Sequence, residues 1–366
     1  MLQSMLEVLA CPECGGGGLA LVDARGENGE IVSGGLKCGT CDLVYPIEEH
    51  IPSLLPGDLL LCGNGDREKW RETYRAVEEK AVDDDRRSYK QRHRDEAEAA
   101  RISREKASYL WENMLYEEAY EAFQDVPETH GLSWTRTQEA VARRNRLIFE
   151  LISAWEGDFE GKLVLNSGAG FDSDIGRRFT EAGARIVNND IVPKALQTLR
   201  ARHGLQGVCA DLRKLPFRDG SFDLVVCIEV IHHCHPLVET LREIRRIIKA
   251  GGGIVVVENT LSHPGTWPGR ILPKRLIRMI RRGLRKSFGR KERYLKVSPY
   301  EQVVPPRQVL RVLREAGFCG IEKKVSQYAI PVFPARFVDA WERWGRKFPR
   351  LFSPLAFELT YFGKKG

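Results

Sequence analysis

Four cysteines near the start of the sequence have a spacing that could hold a metal ion. Cys11 and Cys14 form one C-x-x-C pair, Cys38 and Cys41 form a second, and 23 residues separate the two pairs. Two such pairs let four thiolates converge tetrahedrally on one zinc ion, whereas a redox-active dithiol needs only one pair. The spacing therefore predicts a zinc site. Residues 1–58 are too few to bury much of a core, so metal binding is expected to supply their folding free energy.

A second group of residues has the arrangement of a ligand-binding turn. An apolar run at 163–165 is typical of a buried strand, and Gly168, Gly170 and residues that can begin a helix follow it. Such a turn lets backbone N–H groups approach a ligand closely. Asp190 ends the next predicted strand, twenty positions after Gly170, where a carboxylate can bind both hydroxyls of a ribose. Taken alone, the glycines also fit a tight turn without a ligand.

Three histidines follow the end of a later predicted strand, at His232, His233 and His235. An imidazole at this place could remove a proton from an attacking hydroxyl near neutral pH, so His233 and His232 are the candidate catalytic residues. Helix capping or packing is the competing interpretation of the same side chains, and metal binding is a further alternative.

The elements that must position these residues alternate between strands and helices. The predicted strands are 163–165, 185–189, 207–211, 222–229 and 254–257, followed by two closing antiparallel strands at 321–329 and 357–362. Amphipathic helices are expected at 141–155, 237–249 and 307–316. This alternation predicts a doubly wound α/β sheet that binds its ligand at the carboxyl ends of the strands.

Residues from about 160 to 260 resemble the class I S-adenosylmethionine-dependent methyltransferases, especially the branch similar to the ubiquinone-biosynthesis enzymes. The resemblance rests on VLNSGAG, on Asn189-Asp190, on ADLRKLPFRDGSFDLVVCIEVIHH and on LREIRRIIKAGGGIVVVEN, in this order and at the family's spacing. A dehydrogenase would have its third glycine at Ser173 and would leave LPFRDGSFDLVV unexplained. The resemblance implies a Rossmann-like, seven-stranded methyltransferase sheet that binds S-adenosylmethionine.

The resemblance also implies which residues bind this cofactor. Gly168 and Gly170 are expected to line its methionine part, and Asp190 to bind the ribose. Asp211 and Leu212 are expected to meet the adenine. The full set of implied cofactor-binding residues is Asn166, Gly168, Gly170, Asp190, Ile191, Asp211, Leu212 and Glu229, the last at the strand end where methyl donor meets substrate.

The chain departs from the family at two positions. The family usually has an acid where Asn166 stands and a third glycine where Asp172 stands. Asn166 can still orient the turn through hydrogen bonds, and Asp172 is expected to be the N-cap of the next helix. The family commonly carries two histidines at 232–233 without a metal, which disfavours metal binding there.

The N-terminal segment resembles a different family, the small zinc-ribbon activator proteins that partner tRNA and translation-factor methyltransferases. The matching stretches are MLEVLACPECGG, LKCGTCDLVYPI and HIPSLLP. Because the ribbon does no chemistry in that family, the resemblance implies a docking or stabilising module fused to its methyltransferase.

Composition bounds the remaining possibilities. The 366 residues allow two or three domains, and no apolar run is long enough to span a membrane. The nine cysteines and the absence of a signal-peptide plan favour a reducing, cytoplasmic compartment. We predict a zinc ribbon at 1–58, a helical linker or lid at 59–155, and a methyltransferase domain at 156–366 with an insertion at 260–300.

Two segments outside the motifs leave alternatives open. Tyr109, Trp111, Tyr116, Tyr120 and Phe123 are typical of core packing, or of a lid over the cofactor. The segment 270–293 has eleven basic residues, one acid and an apolar stripe at helical spacing. Its apolar side could pack on the protein's own core or dock peripherally on a membrane, and its charge could bind RNA.

The leading hypothesis is an S-adenosylmethionine-dependent methyltransferase that acts on a small, carrier-linked or lipid-linked acceptor by direct transfer. An RNA methyltransferase is the alternative enzyme, prompted by the ribbon and the basic segment, although the chain lacks an Asn-Pro-Pro-Tyr type of motif after the fourth strand. A non-catalytic binding subunit is the third hypothesis, prompted by Asn166 and Asp172.

Overall fold

The computed structural model describes residues 1–16, 18–60, 72, 86–104, 106–111, 113, 138–171, 174–260, 302, 304–328 and 335–366. The predictions for Asp172, for Tyr116, Tyr120 and Phe123, and for the basic segment 270–293 lie outside these residues. Within the described part of the chain, no helix is long and apolar enough to cross a membrane.

A small antiparallel sheet forms the N-terminal part of the protein. Its strands, in spatial order, are β1 (Leu19–Glu27), β2 (Glu30–Cys38), β3 (Val44–Glu48) and β4 (Ile51–Pro52). Along β3 the residues alternate between exposed and buried, and Tyr45 and Ile47 are turned inward. This alternation is typical of a sheet with one face on a core and the other in water.

The second sheet has seven strands. They are β5 (Leu163–Ser167), β6 (Arg185–Asp190), β7 (Gly207–Cys209), β8 (Phe222–Ile228), β9 (Ile248–Asn259), β10 (Phe318–Gln327) and β11 (Glu358–Lys365). The spatial order is β10-β11-β9-β8-β5-β6-β7, with β11 antiparallel to its neighbours β9 and β10 and the other strand pairs parallel. The order reverses between β5 and β8, which opens a crevice at their carboxyl ends. This arrangement confirms the predicted doubly wound sheet.

Helices cover both faces of the large sheet. The α-helices are α1 (Gly57–Leu60), α2 (Arg86–Ala99), α3 (Gln138–Glu156), α4 (Asp174–Glu181), α5 (Pro193–His203), α6 (Leu237–Ile247), α7 (Pro306–Glu315), α8 (Ala335–Lys347) and α9 (Pro349–Phe352). Every residue of β5 is buried, because a parallel strand in the middle of a covered sheet has no solvated face.

The N-terminal sheet continues the edge of the large one. Ser53 pairs in parallel with Cys209 of β7, and the N–H of Leu54 donates to the Cys209 carbonyl at 2.8 Å. The N–H of Ala10 donates to the carbonyl of Pro216 at 2.9 Å. Leu9 and Phe217 belong to one buried cluster that spans both sheets. The small sheet therefore covers backbone groups of the β7 edge that would otherwise be open to water. The domain limits at 58 and 155 remain predictions.

The observed elements differ from the predictions mainly at their ends. The strand expected at 254–257 begins at Ile248 and shortens the helix expected at 237–249, since glycines let the chain pass close to β8. A Cβ at Gly252 would lie 2.7 Å from the carbonyl oxygen of Asp223. Glu229, expected as the last residue of a strand, lies just beyond β8 with φ of 53°. Tyr109 and Trp111 are buried, as core packing predicts.

Candidate functional site

A glycine turn at the end of β5 forms the floor of the crevice. The N–H of Gly168 donates to the carbonyl of Asn189 at 2.8 Å, and Gly168 has φ of 71°. A Cβ at this position would lie 2.5 Å from Cγ2 of Val230, which follows β8. Glycine is therefore required here for two reasons, the left-handed backbone and the close approach of the neighbouring loop.

Asp190 holds this turn from the next strand. Its Oδ2 accepts the N–H of Gly170 at 2.8 Å and its Oδ1 accepts the N–H of Val192 at 2.9 Å. The structure thus brings Gly168, Gly170 and Asp190 together at the carboxyl edge of the sheet, as the sequence predicts.

Asn166 and Ile191 lie on either side of this turn. Asn166 is buried within the sheet and donates from Nδ2 to Oδ1 of Asn188 on β6 at 2.9 Å. Its amide therefore links two strands where the family usually has a charge. The carbonyl of Ile191 accepts a hydrogen bond from Nδ2 of Asn113 at 3.4 Å, so part of the predicted lid segment reaches the carboxyl edge of the sheet.

Asp211 and Leu212 follow β7 and are buried. The partner of Asp211 is Arg213, which the sequence-based prediction did not include. The guanidinium Nε of Arg213 lies 2.9 Å from Oδ1 of Asp211, and the backbone N–H of Arg213 donates to the same oxygen at 2.9 Å. This pair fixes the carboxylate of Asp211. The presence of an arginine two positions after Asp211 was the sequence signal from which the pair could have been predicted.

A buried ionic cluster lies where β8 ends and β11 begins. Nη2 of Arg144, on α3, lies 3.1 Å from Oε2 of Glu229 and 2.5 Å from Oε2 of Glu358. Asn259 donates its amide to Glu229 as well. Two carboxylates share one buried guanidinium, an arrangement stable only if the remaining hydrogen bonds are satisfied. Of these residues, Glu229 was predicted from the sequence, whereas Arg144 and Glu358 were not.

His232 is paired with a buried carboxylate on the other face of the same sheet edge. Its Nδ1 lies 2.8 Å from Oε2 of Glu258, whose side chain is 6% exposed. Burial and the negative charge of Glu258 raise the pKa of Cys227 and of Tyr361, so both neighbours stay protonated near neutral pH. The ring of His233 lies beside that of His232, with centroids 4.3 Å apart.

The four predicted metal ligands converge in the N-terminal sheet. Their sulfur atoms all lie within 4.8 Å of one another, and the pairs Cys11–Cys41 and Cys14–Cys38 are 3.6 Å apart. Zinc bound at about 2.3 Å from each sulfur requires tetrahedral edges of about 3.8 Å, so the four thiols fit this ion.

The surroundings of these sulfurs also suit a metal. Gly16 and Thr40 donate backbone N–H groups to the sulfurs of Cys14 and Cys38, each at 3.4 Å. Burial opposes ionisation of Cys38, but hydrogen bonds from Cys41 and Thr40 lower the pKa of its thiol to about 6. A thiolate stabilised by backbone donors is the form that binds zinc.

Comparisons with known proteins match the two parts separately. Residues 165–256 match a family model described as a methyltransferase domain, and residues 3–49 match one described as a Trm112p-like protein. An uncharacterized protein of Methanocaldococcus jannaschii is 37% identical over 118 residues, which are 31% of this chain and 49% of that protein. The ubiquinone biosynthesis O-methyltransferase of Bordetella avium is 26% identical over 182 residues, 47% of this chain and 68% of that enzyme.

A further relative and a solved structure are also similar to this chain. The malonyl-[acyl-carrier protein] O-methyltransferase of Herminiimonas arsenicoxydans is 30% identical over 150 residues, 40% of this chain and 49% of that enzyme. The chain thus spans about half of the Methanocaldococcus and Herminiimonas proteins and 68% of the Bordetella enzyme. A solved complex of the Haloferax volcanii Trm112 methyltransferase activator with a methyltransferase superposes with a TM-score of 0.43 at 21% identity, covering 62% of this chain and 92% of that one.

Proposed function

We propose that this chain, which carries a methyltransferase domain behind a Trm112-like domain, transfers a methyl group from S-adenosylmethionine to a hydroxyl of a small or carrier-linked acceptor. The observation that carries the proposal is the His232–Glu258 pair at the carboxyl edge of the sheet. A hydroxyl must lose its proton as it attacks, and a histidine held by a carboxylate is suited to accept that proton.

The crevice residues fit the cofactor. Asp190, fixed by two backbone N–H groups, would accept hydrogen bonds from the ribose, and the Gly168 turn leaves the backbone close to the ligand. Asp211 and Leu212 would meet the adenine. When bound, S-adenosylmethionine supplies an electrophilic methyl group on a sulfonium. These proposed roles combine those implied by the family resemblance with the hydrogen bonds found in this chain.

His232 and Glu258 have different roles in the proposed reaction. Because Nδ1 of His232 is engaged with Glu258 at 2.8 Å, the nitrogen that can accept the acceptor's proton is Nε2. Glu258 fixes the ring orientation and the tautomer, and it stabilises the imidazolium that forms. In the same way Arg144 orients the carboxylate of Glu229 next to the glycine turn.

The test is methyl transfer measured with radiolabelled S-adenosylmethionine on two acceptor types, a polyprenyl catechol and a malonyl thioester on acyl carrier protein, chosen after the two O-methyltransferase relatives. With a hydroxyl acceptor, His232→Asn should lower kcat about 100-fold or more, and Glu258→Gln should lower it less. Calorimetry should give wild-type affinity for S-adenosylmethionine in both variants.

Two results would contradict this proposal. If only the malonyl thioester is methylated, and His232→Asn leaves its rate unchanged, the acceptor is a carboxylate that needs no base. If S-adenosylmethionine does not bind at all, the chain is a non-catalytic subunit.

A second candidate, methylation of RNA or protein, is supported by the Trm112p-like match at residues 3–49. Incubation of the enzyme with total RNA and with ribosomal protein, under the same label, tests it directly. Incorporation into either fraction at a rate above that of the small acceptors would favour this candidate. The cytoplasmic location expected from the sequence remains a prediction.

A further inference from the structure

Helices α8 and α9 expose a row of large apolar side chains. Phe337 is 51% exposed, Trp344 57%, Phe348 50% and Leu351 67%. Phe337, Trp344 and Phe348 follow one another at intervals of seven and four residues, which places them on one side of α8 and its C-terminal end. Leu351 belongs to α9, which begins after a break in the helical backbone at Phe348. Most of the large apolar side chains that are exposed in the described part of the chain lie in this row, the others being Leu2 and Val44. We call it the α8–α9 face.

The adjacent side of α8 is packed against the protein. Val338 is buried, and the ring of Trp341 packs edge-on against Phe352, with centroids 5.2 Å apart. A Cβ on Gly345 would lie 2.3 Å from the ring of Tyr328, so helix and ring are in direct contact. Because packing already holds α8 in place, the exposed row is not needed to attach the helix.

Basic residues border the α8–α9 face. Arg343, Lys347 and Arg350 are exposed. Of the two acids of this stretch, Asp339 lies 2.6 Å from Nη1 of Arg143 on α3. Glu342 accepts the N–H of Tyr328 at 2.7 Å and lies 3.7 Å from Nη2 of Arg346. The face therefore presents apolar side chains within a positive rim.

The location of the face relates it to the candidate site. Helices α8 and α9 connect β10 to β11, and β11 begins at Glu358, which pairs with Arg144. Asp339 binds Arg143, the residue next to Arg144. The α8–α9 face thus lies on the carboxyl edge of the sheet, where an acceptor would enter.

We infer that the α8–α9 face docks on the surface of an anionic lipid bilayer. Tryptophan, phenylalanine and leucine side chains can enter the interface between headgroups and acyl chains, while arginine and lysine bind anionic headgroups. RNA would complement the charge of the rim, but RNA binding would not explain why the apolar side chains of Phe337 and Leu351 are exposed. A second copy of the chain is disfavoured because it would bring two positively charged rims together. Docking would bring an acceptor held in the membrane to the site, although the inference itself does not depend on turnover.

Flotation of the full-length, zinc-loaded protein with lipid vesicles tests the inference. One set of vesicles contains phosphatidylglycerol and phosphatidylcholine, and the other contains phosphatidylcholine alone. We expect binding to the anionic vesicles, with an apparent Kd at least tenfold lower than for the neutral ones. Trp344→Ser/Phe348→Ser and Lys347→Glu/Arg350→Glu should each weaken binding at least tenfold. Val44→Ser, which removes a 48% exposed apolar side chain from the N-terminal sheet, is the matched control and should bind like the wild type.

Thermal unfolding and zinc content show that each variant is folded, so weaker binding is attributable to the face. Equal binding to both vesicle types, or wild-type binding by both double variants, would overturn the inference. So would a protein that binds RNA but no vesicles, or one that forms a dimer dissociated by Trp344→Ser/Phe348→Ser.

Discussion

Replacing Gly168 by alanine tests whether the turn after β5 is held as tightly as the structure indicates. Two costs arise at this position. The backbone has φ of 71°, which disfavours any residue with a Cβ, and the new Cβ would lie 2.5 Å from Cγ2 and 2.6 Å from Cβ of Val230. Val230 follows Glu229, so a shift of this loop would also displace the acceptor side of the crevice.

The magnitude follows from these two costs. A left-handed conformation costs a non-glycine residue about 1–2 kcal/mol. Overpacking of this severity costs about 1–3 kcal/mol. Gly168→Ala should therefore lower the free energy of unfolding by about 2–5 kcal/mol, a large share of the total for a typical domain.

A matched control separates the two costs. Gly204, at the end of α5, has nearly the same φ of 68°, but no atom lies within 4 Å of the position of its Cβ. Gly204→Ala should show only the backbone cost of about 1–2 kcal/mol. The double variant Gly168→Ala/Val230→Ala should relieve the steric clash. Its loss of unfolding free energy should therefore be smaller than the sum of the losses in the two single variants.

Urea unfolding followed by circular dichroism measures these differences, and calorimetry measures the affinity for S-adenosylmethionine. We expect Gly168→Ala to weaken cofactor binding and Gly204→Ala to leave it unchanged. The reasoning is refuted if Gly168→Ala costs no more stability than Gly204→Ala, or if Val230→Ala gives no recovery.

Two further predictions concern the metal and the pH. Elemental analysis should find one zinc per chain; Cys11→Ser/Cys38→Ser should lose it and unfold at a lower temperature, and retained zinc would contradict the assignment. Burial and the charge of Arg104 lower the pKa of His235, so the unfolded state binds more protons, and stability should fall as the pH drops below about 6.5. Urea unfolding at pH 7.5 and 5.5 measures this loss of unfolding free energy, which should be smaller in His235→Gln than in the wild type. An equal loss in both proteins would show that His235 does not cause the pH dependence.

The predictions that depended on local sequence patterns located the central strands of the large sheet correctly. The apolar runs gave strands β5, β6 and β8 close to their observed limits, because a buried parallel strand is apolar along its length. The same approach misplaced the start of β9, since its glycines have no hydrophobic pattern. Their role depends on the close approach of Asp223, which only packing reveals.

The predicted cofactor-binding residues show which contacts local sequence patterns cannot predict. The positions of Gly168, Gly170 and Asp190 follow from their spacing along the chain, and the structure brings them together. Asn166, by contrast, forms a cross-strand amide pair with Asn188, which depends on the register between β5 and β6. No spacing rule specifies such a register, so its partner could not be predicted.

By itself, the sequence determined the elements whose residues are close along the chain: the two cysteine pairs, the glycine turn and the alternation of strands and helices. The tertiary structure decided which distant residues meet. Arg144 reaches Glu358 across 214 positions, His232 reaches Glu258, and Ser53 pairs with Cys209 on the edge of the large sheet. These contacts exist because strand order brings separate chain segments to one edge, and burial there makes each charge require a partner.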